Sequence, residues 1–290
     1  MSVTTKAESL NQTITEAVAT LAAETDAAKQ DATFRAWLAS MSRFYNYSFG
    51  NQLLIASQCP TATRVAGFQR WRGMGRFVMK GQKGISILAP IIRRSAEQTE
   101  HTGTSEGERV SRIAGFRAAT VFDVAQTDGE ALPEAPQHNA TEGGEDLLPR
   151  LEAATRAFGI ELAYQAIPGR AEGYSKGGFI AVEESQPIAA KCGTVAHELA
   201  HELLHWNGTE KATKQQRELE AEATAYVVLS HFGMQSGSRF YLTGYGITGE
   251  MLQASMQIIA ATARRIIEQI EGASDGQEEA GEDPALALAA

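Results

Sequence analysis

The spacing of apolar and polar residues predicts three amphipathic helices in the C-terminal half of the chain. In the first, apolar side chains such as Val195 and Leu199 recur three or four positions apart, as they do along one face of an α-helix. Thr194, just before this run, is its predicted N-cap. The second helix is predicted over 215–232 and the third over 248–271.

Shorter apolar runs, separated by glycine and polar residues, predict strands and further helices. The predicted strands lie at 85–92, 113–123, 160–165 and 173–182. Further helices are predicted at 32–45, 51–58 and 147–158. This mixture indicates an α+β fold. The strand at 173–182 is expected to form a sheet edge, to which a peptide could add as a further strand.

Local composition divides the chain into two expected domains. Turn-forming residues cluster at 134–144, the predicted linker between a domain at 1–133 and a domain at 145–272. The tail, 273–290, is acidic and of low complexity, and it is expected to be disordered. A polar stretch rich in Gly, Thr and Glu at 95–108 is the predicted loop of a hairpin.

Overall composition is typical of a globular protein of the cytoplasm. Of the 290 residues, 43% are hydrophobic, which is enough for a core in each domain. The only cysteines are Cys59 and Cys192, so a disulfide framework is not expected. The N-terminus lacks the apolar segment of a signal peptide, and no apolar run reaches the length of about 18 residues that marks a membrane span. We therefore expect a cytoplasmic protein that does not enter the membrane.

Basic and aromatic residues are concentrated in the N-terminal part, although the net charge of the chain is −9. Between Asp31 and Glu97 there is no acidic residue, while ten basic ones occur there. Aromatic residues such as Phe49, Phe68 and Phe77 are interleaved with them. Cations neutralise phosphates and flat rings stack on unpaired bases, so this segment predicts binding of single-stranded nucleic acid. The alternative is a solvated basic face over a core of aromatic rings.

The strongest chemical signal is the sequence His197-Glu198-Leu199-Ala200-His201, which lies in the first predicted C-terminal helix. Residues four apart share a helix face, so His197 and His201 can bind one zinc ion while Glu198 acts at the remaining coordination position. The alternative is an exposed helix that merely happens to be rich in His and Glu.

A catalytic zinc site needs a third protein ligand. Glu218 and Glu222 share one face of the second predicted helix, and either can supply it. His205 follows His201 by four residues, but ligands at i, i+4 and i+8 spread over about 12 Å of helix, too far to surround one ion. We therefore expect His205 at the edge of the core or beside a ligand.

The H-E-x-x-H motif followed by E-x-x-x-E on a later helix resembles the gluzincin metallopeptidases. The resemblance implies a zincin-like domain with bound Zn²⁺, in which Glu218 is the third ligand and Glu222 orients a ligand histidine. It implies Glu198 as the general base that activates water and later protonates the leaving amine. In the family an Asp or Asn usually stands at the position of Glu222, whose longer side chain could itself reach the metal.

Several motifs of the basic segment resemble the N-terminal domain of ArdC-type antirestriction proteins. They include Tyr47-Ser48-Phe49-Gly50-Asn51, Ala66-Gly67-Phe68, Lys80-Gly81-Gln82-Lys83-Gly84 and Val121-Phe122-Asp123-Val124. The resemblance covers roughly 30–133 and implies an α+β domain that binds single-stranded DNA, placed before a zinc-peptidase domain of the ImmA/IrrE kind. The candidate DNA contacts are Tyr47, Asn51, Arg64, Trp71, Arg72, Arg76, Lys80 and Lys83.

Together these features predict an antirestriction protein of a mobile element that binds single-stranded DNA and hydrolyses peptide bonds in an unknown, DNA-bound protein substrate. Two alternatives stay open. One is a DNA-binding protective protein whose zinc site is structural or incidental, and the other is a regulatory endopeptidase that cleaves a repressor. By residue type, the candidates for stabilising a tetrahedral oxyanion are Tyr226, His231, Tyr241 and Tyr245.

Overall fold

The computed structural model describes residues 5–24, 27–96, 109–132, 144–169, 171–206, 212–234 and 249–272. Packing divides the chain into two compact units. The first unit comprises the described residues up to Ile14 together with Leu54–Glu130, and the second comprises the described residues in Thr15–Leu53 and from 131 to 272. The predicted domain boundaries at 133 and 145 remain predictions, and packing places 15–53 in the second unit.

The N-terminal part of the chain is helical, as its periodicity predicts. The helices there are α1 (Lys6–Ala23), α2 (Ala27–Arg43) and α3 (Phe49–Gln58). The predicted helices at 32–45 and 51–58 correspond to α2 and α3. The buried side chains of α2 include Phe34, Leu38 and Met41, which are three or four residues apart and therefore lie on one helix face.

The first unit is built mainly from antiparallel strands. Its elements after α3 are β1 (Val65–Gly67), α4 (Phe68–Gly73), β2 (Arg76–Val78), β3 (Ile85–Ala96), β4 (Arg109–Asp123) and β5 (Thr127–Gly129). One sheet has the order β1-β4-β3, and β2 pairs with β5 in a second sheet. The predicted strands at 85–92 and 113–123 are present but longer than predicted, because β3 and β4 remain paired as far as Ala96 and Arg109.

The core of the first unit lies against one face of β3. Ile85, Ile87 and Ala89 alternate along that strand and are buried, as expected for a strand with one face on the core. Trp71 is fully buried, and its indole Nε1 donates a hydrogen bond to the carbonyl of Phe122 at 2.9 Å. This bond satisfies the polar end of the ring and ties α4 to β4.

The second unit packs long helices around α6. Its C-terminal helices are α5 (Leu147–Ala157), α6 (Ile188–His205), α7 (Lys214–His231) and α8 (Gly249–Gly272). α6 contacts α5, α7 and α8, while α7 also packs against α2. The prediction that Thr194 caps the first helix is wrong, since α6 begins directly after Pro187 and Thr194 lies buried in its second turn. The cap was misplaced because Ala189 to Gly193 carry no apolar periodicity.

A small sheet completes the second unit. Its strands are β6 (Glu161–Gln165), β7 (Gly173–Ser175) and β8 (Phe179–Glu183), in the order β6-β8-β7. The predicted single strand at 173–182 is instead an antiparallel hairpin, because Gly177 and Gly178 adopt φ of 73° and 81° and turn the chain between β7 and β8. Consequently β7, not β8, forms the edge of this sheet.

The mixture of helices with antiparallel and parallel strand pairs confirms the α+β class. Among the described helices, none combines the length and hydrophobicity needed to cross a bilayer. The predicted loop at 95–108, the linker at 134–144 and the tail at 273–290 lie largely or wholly outside the described residues.

Candidate metal centre

Two histidines face the same point from helix α6. His197 and His201 are one helical turn apart, and their Nε2 atoms lie 3.1 Å from each other. The opposite face of α6 is held in the core by Val195 and Leu199, both fully buried. This packing determines which way the histidine face points, so the two imidazoles are oriented by the fold and not only by each other.

Glu218 of α7 completes a cluster with these histidines. Its Oε2 lies 3.7 Å from His197 Nε2 and 3.5 Å from His201 Nε2. A tetrahedral zinc site with bonds of 2.0–2.2 Å places its ligand atoms about 3.4 Å apart. The three separations of 3.1, 3.5 and 3.7 Å therefore fit one small divalent cation. His197, His201 and Glu218 are also the metal-binding group that geometry identifies among the described residues.

Glu222 contacts the other side of the His197 ring. Its Oε2 lies 2.9 Å from His197 Nδ1. A carboxylate only accepts hydrogen bonds, so Nδ1 donates its proton and Nε2 keeps a lone pair that faces Glu218 and His201. Glu222 thus orients a histidine whereas Glu218 faces the cluster, which is the arrangement that the gluzincin resemblance implies. The metal-binding roles themselves stay predictions.

Electrostatics at the cluster favour a positive charge. Burial by itself lowers the pKa of His197, but the hydrogen bond and charge of Glu222, together with Glu198 and Glu218, outweigh it and raise that pKa. Burial lowers the pKa of His201 to about 4, and the neighbouring His197 adds to this shift. A neutral His201 is the form that binds a metal. The carboxylates around His197 favour either a proton or a metal ion.

Glu198 lies beside the cluster and next to the edge strand. Its side chain is largely buried, and this burial raises the pKa of its carboxyl group. The charge of His197 and the hydroxyl of Ser175, on β7, partly offset the rise of this pKa. Ser175 Oγ in turn accepts a hydrogen bond from Trp206 Nε1 at 3.3 Å. A carboxylate with a raised pKa is a stronger base, as a general base requires.

Glu202 fastens the β7–β8 hairpin to α6. Its carboxylate oxygens accept hydrogen bonds from the backbone amides of Gly177 at 2.8 Å and Gly178 at 2.6 Å. The ring of Trp206 lies against Gly177, where an added Cβ would be 3.1 Å from Trp206 Cε3. Sequence reasoning missed Ser175, Glu202 and Trp206. The only available signal was the spacing of Glu202, one turn after Glu198 on the same helix.

Other candidate residues are placed away from the cluster. His205 Nε2 lies 3.2 Å from the carbonyl of Arg217, as expected for a residue at the edge of the core. The two ring nitrogens of His231 lie 2.9 Å from the carbonyl of Ser42 and from Glu271. His231 therefore joins three helices of the second unit. Tyr241 and Tyr245 lie outside the described residues, and Tyr226 is half-buried on α7.

The structure separates the candidate DNA contacts by exposure. Arg72, Lys80 and Lys83 are exposed, Tyr47, Arg64 and Arg76 are half-buried, and Asn51 is buried. The prediction that Trp71 contacts DNA is wrong, because its fully buried ring belongs to the core of the first unit and cannot stack on a base. Aromatic type alone does not indicate which face of α4 a ring occupies.

The guanidinium of Arg76 is committed to the structure of the first unit. Its Nε and Nη2 donate hydrogen bonds to the hydroxyl and the carbonyl of Thr127 at 2.8 and 3.0 Å. These bonds hold β2 against β5, so Arg76 has a structural role whatever else it contacts.

Two family models match the chain in sequence. Residues 6–122 match the N-terminal domain of anti-restriction factor ArdC. Residues 156–230 match the IrrE N-terminal-like domain, a peptidase family, and this span includes every residue of the metal cluster.

An uncharacterized protein of Bacillus anthracis is 28% identical over an alignment of 236 residues that covers 68% of this chain. The chain spans about two fifths of that relative's length, since the match covers 40% of it.

A solved structure of ArdC from plasmid R388 shares the fold. The Mn(II)-bound crystal structure matches with a TM-score of 0.52 at 18% identity, over 92% of this chain and 98% of that one. The metal-free crystal structure matches with a TM-score of 0.48 at 18% identity, over 79% and 86%. The two family models, in this order along one chain, identify it as a member of the ArdC-type proteins, with an ArdC N-terminal domain followed by an IrrE-like peptidase domain.

Proposed function

We propose that this protein is an antirestriction factor that binds single-stranded DNA and hydrolyses peptide bonds at a zinc site formed by His197, His201 and Glu218. The convergence of their ligand atoms at separations of 3.1–3.7 Å is the observation that supports the metal site. The ArdC from plasmid R388 has been crystallised with Mn(II), which supports a divalent cation here. Two imidazoles and one carboxylate suit zinc in a catalytic site.

The surroundings of the site support hydrolysis over a purely structural role. A divalent cation bound there supplies a Lewis acid that polarises a carbonyl and a water molecule. The Glu198 carboxylate accepts the proton of the attacking water and delivers it to the leaving amine. Glu222 keeps the Nδ1 proton of His197 and so holds the ring in place. A purely structural metal site does not need a general base beside it, so the position of Glu198 favours hydrolysis.

The edge strand β7 supports a peptide as the substrate. β7 pairs with β8 on one side only among the described strands, so its other edge can hydrogen-bond an extended chain. Ser175 on this strand contacts Glu198. An added peptide would therefore run past the proposed base. The protein substrate is expected to be one that DNA brings to the enzyme.

The ArdC domain supports nucleic acid as a partner. The family match covers 6–122, the part of the chain that contains the acid-free segment between Asp31 and Glu97. Exposed cations such as Arg72, Lys80 and Lys83 are available for phosphates.

The test is Glu198→Gln compared with Glu184→Gln, a matched change at an exposed residue of the same unit. Both variants should hold about one zinc per chain and bind single-stranded DNA. Only Glu198→Gln should lose cleavage of a DNA-bound protein, by roughly a hundredfold or more. Protection of incoming DNA is then measured in cells. Equal protection by Glu198→Gln and wild type would show that DNA binding alone protects.

A further inference from the structure

The ribbon formed by β3 and β4 has an exposed apolar face. Side chains alternate along a strand, so Pro90 and Ile92 share one face of β3. Their cross-strand partners on β4 are Phe116 and Ile113. Phe116 is 51% exposed and Ile113 is 41% exposed. An exposed aromatic and aliphatic surface of this kind commonly marks an interaction site.

The opposite face of the same ribbon carries three arginines together with Ile91, which is 39% exposed. Arg93 lies directly opposite Arg112, and Arg117 lies opposite Ala89, which shares a face with Arg93. Arg93, Arg112 and Arg117 are all exposed. Between residues 85 and 122, every acidic residue belongs to the connecting segment 97–108. The positive charge therefore belongs to the paired strands themselves.

We propose that this amphipathic ribbon is the surface on which single-stranded nucleic acid lies, with Phe116 stacked on a base and Arg93, Arg112 and Arg117 facing phosphates. The proposal rests on the DNA-binding function proposed above. The two strands are only about 5 Å apart, so long arginine side chains from one face extend past both edges of the ribbon. The guanidinium groups of these arginines can then reach the phosphates of a DNA single strand whose bases lie on the apolar face.

Charge distinguishes nucleic acid from a second copy of this chain as the occupant. Two ribbons packed face to face would bring together two sets of arginines, while the one acidic residue on β3 and β4, Asp123, is buried at the end of β4. A polyanion instead gains both from the cations and from the exposed ring. The ribbon lies outside the candidate contacts at 47–83 that sequence reasoning singles out.

The test measures the anisotropy of a short fluorescein-labelled oligo(dT) over a range of salt concentrations. Phe116→Ala should weaken binding by roughly five- to a hundredfold with the salt slope kept, whereas Phe116→Trp should bind like wild type. In the double variant Arg93→Ala, Arg117→Ala, the slope of log binding constant against log salt concentration should become shallower by about 1.4, because two phosphate contacts are lost. Arg156→Ala, on α5 of the second unit, and Thr120→Ala, on β4, are the matched controls.

A second measurement does not depend on any variant. Ultraviolet cross-linking to oligonucleotides containing bromodeoxyuridine should label the peptide that includes Phe116. If wild type binds DNA and the ribbon variants bind it equally well, the ribbon proposal is overturned. Cross-links confined to other peptides would overturn it as well, and either result leaves the DNA-binding function intact. A dimer that Phe116→Ala dissociates at unchanged DNA affinity would assign the face to a second copy. No binding by wild type would instead overturn the DNA-binding function.

Discussion

His197 Nδ1 and Glu222 Oε2 lie 2.9 Å apart, on the side of the imidazole that faces away from the other metal-site residues. The contact fixes the tautomer of His197, because a carboxylate can accept but not donate a hydrogen bond. It also gives different positions to two acids on the same face of α7. Glu222 is occupied by the histidine, while Glu218 lies within 3.7 Å of both Nε2 atoms.

Glu218 and Glu222 should therefore differ in their effect on metal binding. Glu218→Ala should abolish tight zinc binding, since two histidines alone are too few ligands. Glu222→Ala should weaken it by about ten- to a hundredfold, as loss of a residue that orients a ligand typically does. Competition with a zinc-sensitive chelator measures both, with Glu184→Ala as the exposed control. The ligand assignment is wrong if Glu222→Ala removes zinc as completely as Glu218→Ala.

Ser175 should act through Glu198. Ser175→Ala removes a hydroxyl that interacts with the Glu198 carboxylate, and this loss should lower kcat roughly tenfold at unchanged zinc content. Ser175→Thr keeps a hydroxyl and should restore most of the rate. KM for a peptide should change little, because the substrate-facing backbone of β7 is retained. A Thr variant as slow as the Ala variant, or loss of zinc, would exclude this positioning role.

Sequence periodicity predicted the framework of the metal centre. The i, i+4 spacing of His197 and His201 is sufficient to place both rings on one helix face, and apolar positions such as Leu199 indicate the opposite, buried face. The acids on α7 were recognised because they share the same kind of spacing. Periodicity alone leaves Glu218 and Glu222 open as the third ligand, because it does not encode the distance between two helices, and only the gluzincin resemblance implies Glu218.

The hairpin and the exposure of the aromatic rings were harder to predict, for a physical reason in each case. The segment 173–182 is predicted as one strand although Gly177-Gly178 is itself a turn signal, and the positive φ of both glycines shows the reversal. The aromatic type of Trp71 predicts a stacking ring, but its position on α4 places it in the core. Phe116 was overlooked because a β-strand of mixed apolar and basic residues does not show which face is exposed.

Trp71→Ala should unfold the first unit and not simply weaken DNA binding. The ring is fully buried and its Nε1 bonds the Phe122 carbonyl, so truncation should cost about 3–5 kcal/mol of unfolding free energy. Phe77→Ala removes a ring that is 56% exposed and should leave stability within about 0.5 kcal/mol. Thermal unfolding followed by circular dichroism compares them. A fully folded Trp71→Ala protein with reduced DNA affinity would contradict this interpretation.

Cys192 should resist modification while Cys59 reacts. Cys192 is fully buried, and burial raises the pKa of its thiol to about 11. Alkylation requires the thiolate, so at about pH 8 very little of this thiol is reactive. The Cys192 thiol ionises at a lower pH in the unfolded chain than in the folded one. Its ionisation therefore lowers the free energy of unfolding as the pH rises from about 9 to about 11. Mass spectrometry after iodoacetamide treatment identifies the labelled cysteine, with Cys59→Ser as the control. Equal labelling rates for both thiols would disprove the burial.

Glu202 should hold the β7–β8 hairpin against α6, and its loss should loosen the edge strand before the helices unfold. Glu202→Ala leaves two backbone amides, those of Gly177 and Gly178, without their carboxylate acceptor. The expected cost is about 1–3 kcal/mol of unfolding free energy. Glu202→Gln retains one acceptor oxygen and should lose less. The indole of Trp206 packs on Gly177, so its fluorescence reports the hairpin directly.

Fluorescence and far-ultraviolet circular dichroism during urea unfolding separate hairpin release from global unfolding, and Trp206→Phe removes the local signal as a control. In Glu202→Ala the fluorescence change should occur at lower urea than the loss of helix, whereas in wild type the two should coincide. Because Ser175 lies on the same hairpin as the glycines, cleavage should fall with hairpin release even though His197, His201 and Glu218 are unchanged. Coincident transitions in Glu202→Ala, at the wild-type midpoint, would mean that the hairpin is held by Trp206 and β8 without the carboxylate.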